Sequence, residues 1–179
     1  MAAPLPEIAA ARAWEALVDV RARQPLVRWL PPNKLHLTLV FLGSTDRARV
    51  AEISTSVERV AQAHKAFDVA TGEAGSRVGS HRGGVAWLGI VDGGHEVAQL
   101  SFDTDDAIGA HTFDFSRAPR PHLTVARGVS EAGLADLRRA ADTIRLTWTV
   151  DRIVLFRSHT DAGGSRYEEL VSAELASHS

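Results

Sequence analysis

The feature that most restricts this chain is a tripeptide that occurs twice, His36-Leu37-Thr38 and His122-Leu123-Thr124, each time within an apolar, strand-forming stretch. Side chains alternate faces along a strand, so residues i and i+2 look the same way. His36 and Thr38 therefore share one face, and Leu35, Leu37 and Leu39 take the other. His122 and Thr124 share a face opposed by Leu123 and Val125. Each strand offers one imidazole and one hydroxyl on one side and an apolar anchor on the other. Sheets with one packed face and one open face satisfy both demands.

Two such strands facing a common cleft would set two imidazoles around a space that also holds two hydroxyls. Imidazole titrates near neutrality, so one ring can act as acid while the other acts as base. The hydroxyls and a nearby cation would bind phosphoryl oxygens and stabilise charge in a transition state. Arg127 lies just past the second triplet, three residues after Thr124. On a regular strand that odd spacing points it away from the site, so its participation requires a bulge or a strand end. Metal binding is the competing use of paired histidines. Threonine is a poor ligand, and no His-x-x-x-His or acidic companion stands beside either triplet, so no metal is expected.

Around the triplets the periodicity predicts helices over 6–22, 47–64, 95–108 and 131–144, with Ser44 or Thr45 capping the second and Ser130 the last. Strands are expected over 27–30, 35–42, 67–71, 85–91, 122–126, 146–156 and 167–175, with a Gly/Ser-rich loop over 72–84 and a Gly163-Gly164 turn. Each half repeats a proline-terminated approach, a His-Leu-Thr strand and a capped helix. The expected fold class is α+β: two pseudo-symmetric lobes of mostly antiparallel sheet with outer helices, and the active-site cleft between them. A single two-lobed domain is expected to span 1–179.

Composition narrows the function further. At 179 residues and 45% hydrophobic content the chain has material for a core, and the absence of cysteine excludes disulfides, thiolate metal sites and a cysteine nucleophile. A formal charge of −2 argues against charge-driven coating of long nucleic acid but leaves room for a few placed cations in a cleft. The apolar runs are too short to span a bilayer, and residues 1–6 lack the pattern of a secretion signal, so a cytoplasmic protein without membrane association is expected.

These residues resemble the 2H phosphoesterase superfamily, and within it the bacterial and archaeal RNA 2′,3′-cyclic 3′-phosphodiesterases, also called 2′-5′ RNA ligases, of LigT-like fold. The stretch from Trp29-Leu30-Pro31-Pro32-Asn33-Lys34 through Leu35 to Gly43 follows the first motif. Pro121-His122-Leu123-Thr124-Val125-Ala126-Arg127 follows the second, and the segment from Leu155 to Tyr167, with Ser158 and Gly164, is similar to the closing hairpin. The resemblance implies cofactor-free hydrolysis of an RNA 2′,3′-cyclic phosphate end to a 2′-phosphate. His36 would be the proton donor to O3′ and His122 the proton acceptor from water. Thr38 and Thr124 would hold the non-bridging oxygens, with Arg127 assisting. The same groups could run the reverse 2′-5′ ligation. Spacing alone does not say which histidine is acid and which is base. The resemblance also implies a short apolar strand before the first helix. Residues 1–6, with two prolines, read poorly as one, so that strand is expected to be missing or replaced.

Other readings fit the same residues. The site could serve a small cyclic nucleotide, an ADP-ribose cyclic phosphate or a 2′-5′ oligonucleotide, or the scaffold could be a non-catalytic RNA-end binding module. No obligate protein partner is expected. Phe41 is expected in the core rather than on a base-stacking surface, and Trp29, Trp87 and Trp148 are expected to pack. Arg77, His81 and Arg82 are read as solvated loop residues with RNA steering as the alternative, and Arg117 and Arg120 as contacts to flanking phosphates. His64, His95, His111, His159 and His178 receive no role, with His159 the one to test.

Overall fold

The computed structural model describes residues 1–77, 84–110, 120–141, 143–161 and 164–177. His81, Arg82, His111, Arg117 and His178 lie outside the described residues, as does the side chain of Arg77. The strands are β1 (Ala2–Pro4), β2 (Arg28–Trp29), β3 (His36–Thr38), β4 (Phe67–Arg77), β5 (Gly84–Asp92), β6 (His122–Val129), β7 (Thr147–Val150), β8 (Arg152–Asp161) and β9 (Gly164–Glu174). The helices are α1 (Glu7–Ala16), α2 (Val18–Arg23), α3 (Val50–Ala63), α4 (Gly94–Ala107) and α5 (Glu131–Ala141).

One sheet runs in the order β7-β4-β5-β6-β3-β1-β8-β9, with β2 pairing onto β6, and these pairings are all antiparallel. It divides naturally into β7-β4-β5-β6 and β3-β1-β8-β9, and the two His-Leu-Thr strands are the innermost of each half. They meet through a single register pair, Leu37 opposite Leu123, whose side chains are 1% and 0% exposed. Helices cover the apolar side. α3 buries Ile53, Val57, Val60 and Ala61 on one stripe and packs on β8 and β9, while α5 buries Leu134, Leu137 and Ala141 and packs on β4. Among the described residues no helix is long and apolar enough to cross a membrane.

Several expectations change. The N-terminal strand is neither missing nor replaced. β1 is an internal strand between β3 and β8, with Ala2, Ala3 and Pro4 opposite Thr38, Leu37 and His36, and Ala2 also opposite Val154. Alanine and proline have weak strand preference, so pattern reading overlooks them. Here the small side chains let β1 fit between two neighbours, and Pro4 stands at the strand end, where its missing N–H costs little. The strand read over 35–42 shortens because Leu39 and Val40 both donate N–H groups to the Met1 carbonyl, at 3.0 and 3.3 Å, and both are buried, which breaks the alternation. Phe41 is 81% exposed and does not belong to the core.

The cap ahead of α3 is Asp46, whose Oδ1 accepts from Ala48 N at 2.9 Å at a 3-10 turn (Arg47–Arg49), rather than Ser44 or Thr45. Ser130 does cap α5, its Oγ accepting from Gly133 N at 3.2 Å. β4 extends to Arg77 through part of the segment read as a loop, because glycines leave room for side chains of β5. A Cβ on Gly72 would meet Val91 at 2.4 Å, and one on Gly75 would meet the Trp87 indole at 2.5 Å. The strand read over 146–156 breaks at Asp151: β7 pairs with β4, whereas β8 pairs with β1 and β9. The sheet consequently curls until its far ends approach, and a bridge joins Lys65 to Ala176.

The joint between the halves should be costly to hollow out. Leu123→Ala is expected to lose about 2–5 kcal/mol in urea unfolding. A loss below about 1 kcal/mol would show that the halves are held together elsewhere.

Candidate active site

The Leu37–Leu123 pair turns both leucines toward the core and therefore turns His36, Thr38, His122 and Thr124 toward the opposite, open face. Because the strands are antiparallel, the same register carries His36 toward Thr124 and Thr38 toward His122. The two histidines are thus diagonal neighbours, on the order of 7–8 Å apart at the backbone in a regular ladder, with a hydroxyl beside each. The charges of His122 and Arg127 both act on the His36 ring, as convergence of these groups requires.

Each imidazole is oriented in the same way. Nδ1 of His36 lies 2.8 Å from the Lys34 carbonyl, and Nδ1 of His122 lies 2.9 Å from the Arg120 carbonyl, two residues upstream in both cases. A carbonyl only accepts, so Nδ1 carries the proton and donates it, leaving Nε2 as the free acid–base atom of both rings. The approaches read as proline-rich supply these carbonyls. A 3-10 turn over Pro32–Lys34 presents the first, and Pro121, whose own carbonyl accepts from Ile90 N at 2.9 Å, follows the second. Arg120 therefore contributes its backbone.

The surroundings of the two rings differ. His36 sits against Tyr167 edge-on, with centroids 5.4 Å apart, and against Phe156 at 6.4 Å. His122 lies against Trp87 at 4.9 Å. Burial lowers the pKa of His36 from its ordinary value. The hydrogen bond to the Lys34 carbonyl opposes this, and like charge from the N-terminal ammonium, Arg127 and His122 adds to it. Burial thus favours the neutral form of His36.

Neither Thr38 nor Thr124 has a hydrogen-bonded partner for its hydroxyl among the described residues, whereas Thr71, Thr104 and Thr149 spend theirs on the protein. Arg127 joins the site through an irregularity. Trp87 pairs with Thr124 but Ala86 pairs with Ala126, so β6 carries an extra residue between them. Val125 and Ala126 are consecutive buried residues across this bulge, and the parity of the strand reverses. Arg127 emerges exposed on the face of His122 and Thr124, with no acidic partner among the described residues.

Pattern reading did not find the aromatic walls in full. Trp87 is a site residue and not only a packing one, and its indole lies over Gly75. In the sequence Tyr167 and Phe156 fall within the segment similar to a closing hairpin, and nothing local ties them to the histidines. What identifies them is cross-strand register, with Ser158 opposite Tyr167. Trp148 is buried and Trp29 packs on the core, as expected. His159 stands on the other face of the hairpin, 2.8 Å from Glu168, whose pKa it lowers as the main cause. His64 pairs with Asp103 at 2.9 Å, away from the site.

Similarity to known proteins runs along most of the chain. The family model described as the 2′-5′ RNA ligase superfamily matches residues 5–162. An RNA 2′,3′-cyclic phosphodiesterase of Thermotoga maritima is 27% identical over 99 residues, covering 55% of this chain and 52% of its own length. One of Escherichia coli (strain K12) is 26% identical over 161 residues, covering 83% and 86%. The chain matches about half the length of the Thermotoga relative and of another from Geobacillus stearothermophilus. TT0787 of Thermus thermophilus superposes with a TM-score of 0.76 at 21% identity, covering 99% of this chain and 97% of that one. E. coli LigT complexed with 3′-AMP gives a TM-score of 0.71 at 26% identity, with 98% and 95% covered.

Two measurements check the ring chemistry. Two-bond 1H–15N spectra above pH 7.5 should show the Nδ1–H tautomer for both His36 and His122, and an Nε2–H form for either would overturn the orientation. Because the folded pKa of His36 is lowered, its contribution to stability is fully present above the unfolded value near 6.5 and is lost as pH falls through the folded value. His36→Gln should flatten the stability curve over that interval, and an unchanged slope would contradict it.

Proposed function

Since the chain belongs to the 2′-5′ RNA ligase superfamily, we propose that it hydrolyses RNA 2′,3′-cyclic phosphate ends to a 2′-phosphate, without a metal. The observation that carries this reading is the pair of imidazoles, each fixed through Nδ1, flanking two hydroxyls, with neither Nε2 nor either hydroxyl engaged among the described residues. The relatives named RNA 2′,3′-cyclic phosphodiesterase support the choice of substrate.

In this mechanism Thr38, Thr124 and Arg127 bind the non-bridging oxygens. Nε2 of His122 takes a proton from water as its oxygen attacks phosphorus in line with the P–O3′ bond. That bond breaks, and His36 delivers its proton to O3′. The product carries a 2′-phosphate and a 3′-hydroxyl, and the two rings exchange protonation states before solvent resets them. Assigning His36 as donor is compatible with its lowered pKa because the bound anion recharges it. Substrate binding is then coupled to proton uptake. The reverse route, 2′-5′ joining, uses the same groups. We place this activity in one catalytic unit spanning 1–179 and, given the cysteine-free composition, in the cytoplasm.

An oligonucleotide ending in a 2′,3′-cyclic phosphate, assayed in chelator, should be converted to the 2′-phosphate at an unreduced rate. His36→Ala and His122→Ala should each lower turnover at least ~10²-fold while retaining product binding. Full activity in both variants, or dependence on added metal, would overturn the mechanism.

A further inference from the structure

β2 lies along the same edge of β6 as β3, but further toward the strand's C-terminal end. Trp29 is opposite Ala126 on the packed face, so Arg28 is opposite Arg127 on the open one. Two guanidinium groups therefore stand in direct register, about one strand spacing (~4.8 Å) apart at the backbone. Both are exposed, and neither has an acidic partner among the described residues. Some other arginines are offset by carboxylates, as in Arg139–Asp136, Arg145–Asp92 and Arg157–Glu168, but what sets Arg28 and Arg127 apart is that they face each other across a ladder. Like charges directly across a ladder destabilise it, and an anion between or beside them removes the penalty. The pair stands at the position on β6 three residues beyond Thr124, on a chain whose overall charge is −2. This is a local concentration of cation and not a basic surface.

Resting on the phosphoesterase reading above, we propose that Arg28 is a specificity-determining residue that holds the internucleotide phosphate next to the cyclic end. It would make the site select an RNA chain over a free cyclic nucleotide. The reacting phosphate is already served by Thr38, Thr124 and Arg127. A mononucleotide leaves Arg28 without an anion, whereas an oligonucleotide brings a second phosphate that a planar guanidinium binds in bidentate fashion.

The test compares Arg28→Gln with wild type on a cyclic-ended oligonucleotide and on a 2′,3′-cyclic mononucleotide, with thermal melts to confirm the fold. For the oligonucleotide, KM should rise roughly tenfold with kcat nearly unchanged, and the slope of log KM against log salt should fall by about 0.7. Mononucleotide kinetics should stay at wild-type values, and Arg28→Lys, which keeps the charge but loses the planar fork, should recover only part of the oligonucleotide KM. Equal losses on both substrates, or no loss on either, would overturn the proposal. If wild-type protein turns over neither substrate, the phosphoesterase reading fails. Arg28 is then judged by binding of a 3′-phosphorylated dinucleotide against the matching mononucleotide. Arg28→Gln weakening only the dinucleotide supports the proposal, and any other pattern overturns it.

Discussion

The contact on which this molecule depends is apolar. Leu37 against Leu123 is where the two halves of the sheet meet, and it is one register pair deep. Burying these side chains fixes which way both strands face, because a slip by one residue would send the imidazoles into the core and the leucines into solvent. The same pair fixes the diagonal relation of the histidines and places each hydroxyl beside the opposite ring. The geometry of the site is thus a by-product of a hydrophobic choice made on the other side of the sheet.

The two half-sites are alike in hydrogen bonding and unlike in packing. Both rings are held by the carbonyl two residues upstream. His36 is enclosed by Tyr167 and Phe156, while His122 has Trp87 on one side. Packing therefore distinguishes the two rings, and burial favours the neutral form of His36.

Much of this was legible in the chain. Alternation in the two triplets identified the open face and the anchoring face, and the helix stripe of Ile53, Val57 and Val60 is readable by eye. The need for a bulge before Arg127 could also be stated from parity alone. The bulge itself could not be located, because it is a matter of register against Ala86 and Trp87 on another strand. β1 escaped notice because Ala2, Ala3 and Pro4 carry almost no strand signal, and partners on both sides decide their conformation. Phe41 misled for the opposite reason: an apolar residue in an apolar run reads as core, yet the chain has already left the ladder at Leu39 and Val40. Trp87 belongs to the site through its register against Thr124, on a strand remote in sequence, a relation no local pattern expresses.

Asp151 alone separates β7, at one margin of the sheet, from β8, near the other. Two peptide steps reach at most about 7 Å, so these margins are tethered whatever happens at the cleft. A tether of that length makes a wide hinge opening between the halves incompatible with an intact sheet. The spacing between the imidazoles is therefore held like the jaw of a fixed gauge, and accommodation of differently sized ligands falls to side chains and loops at the rim.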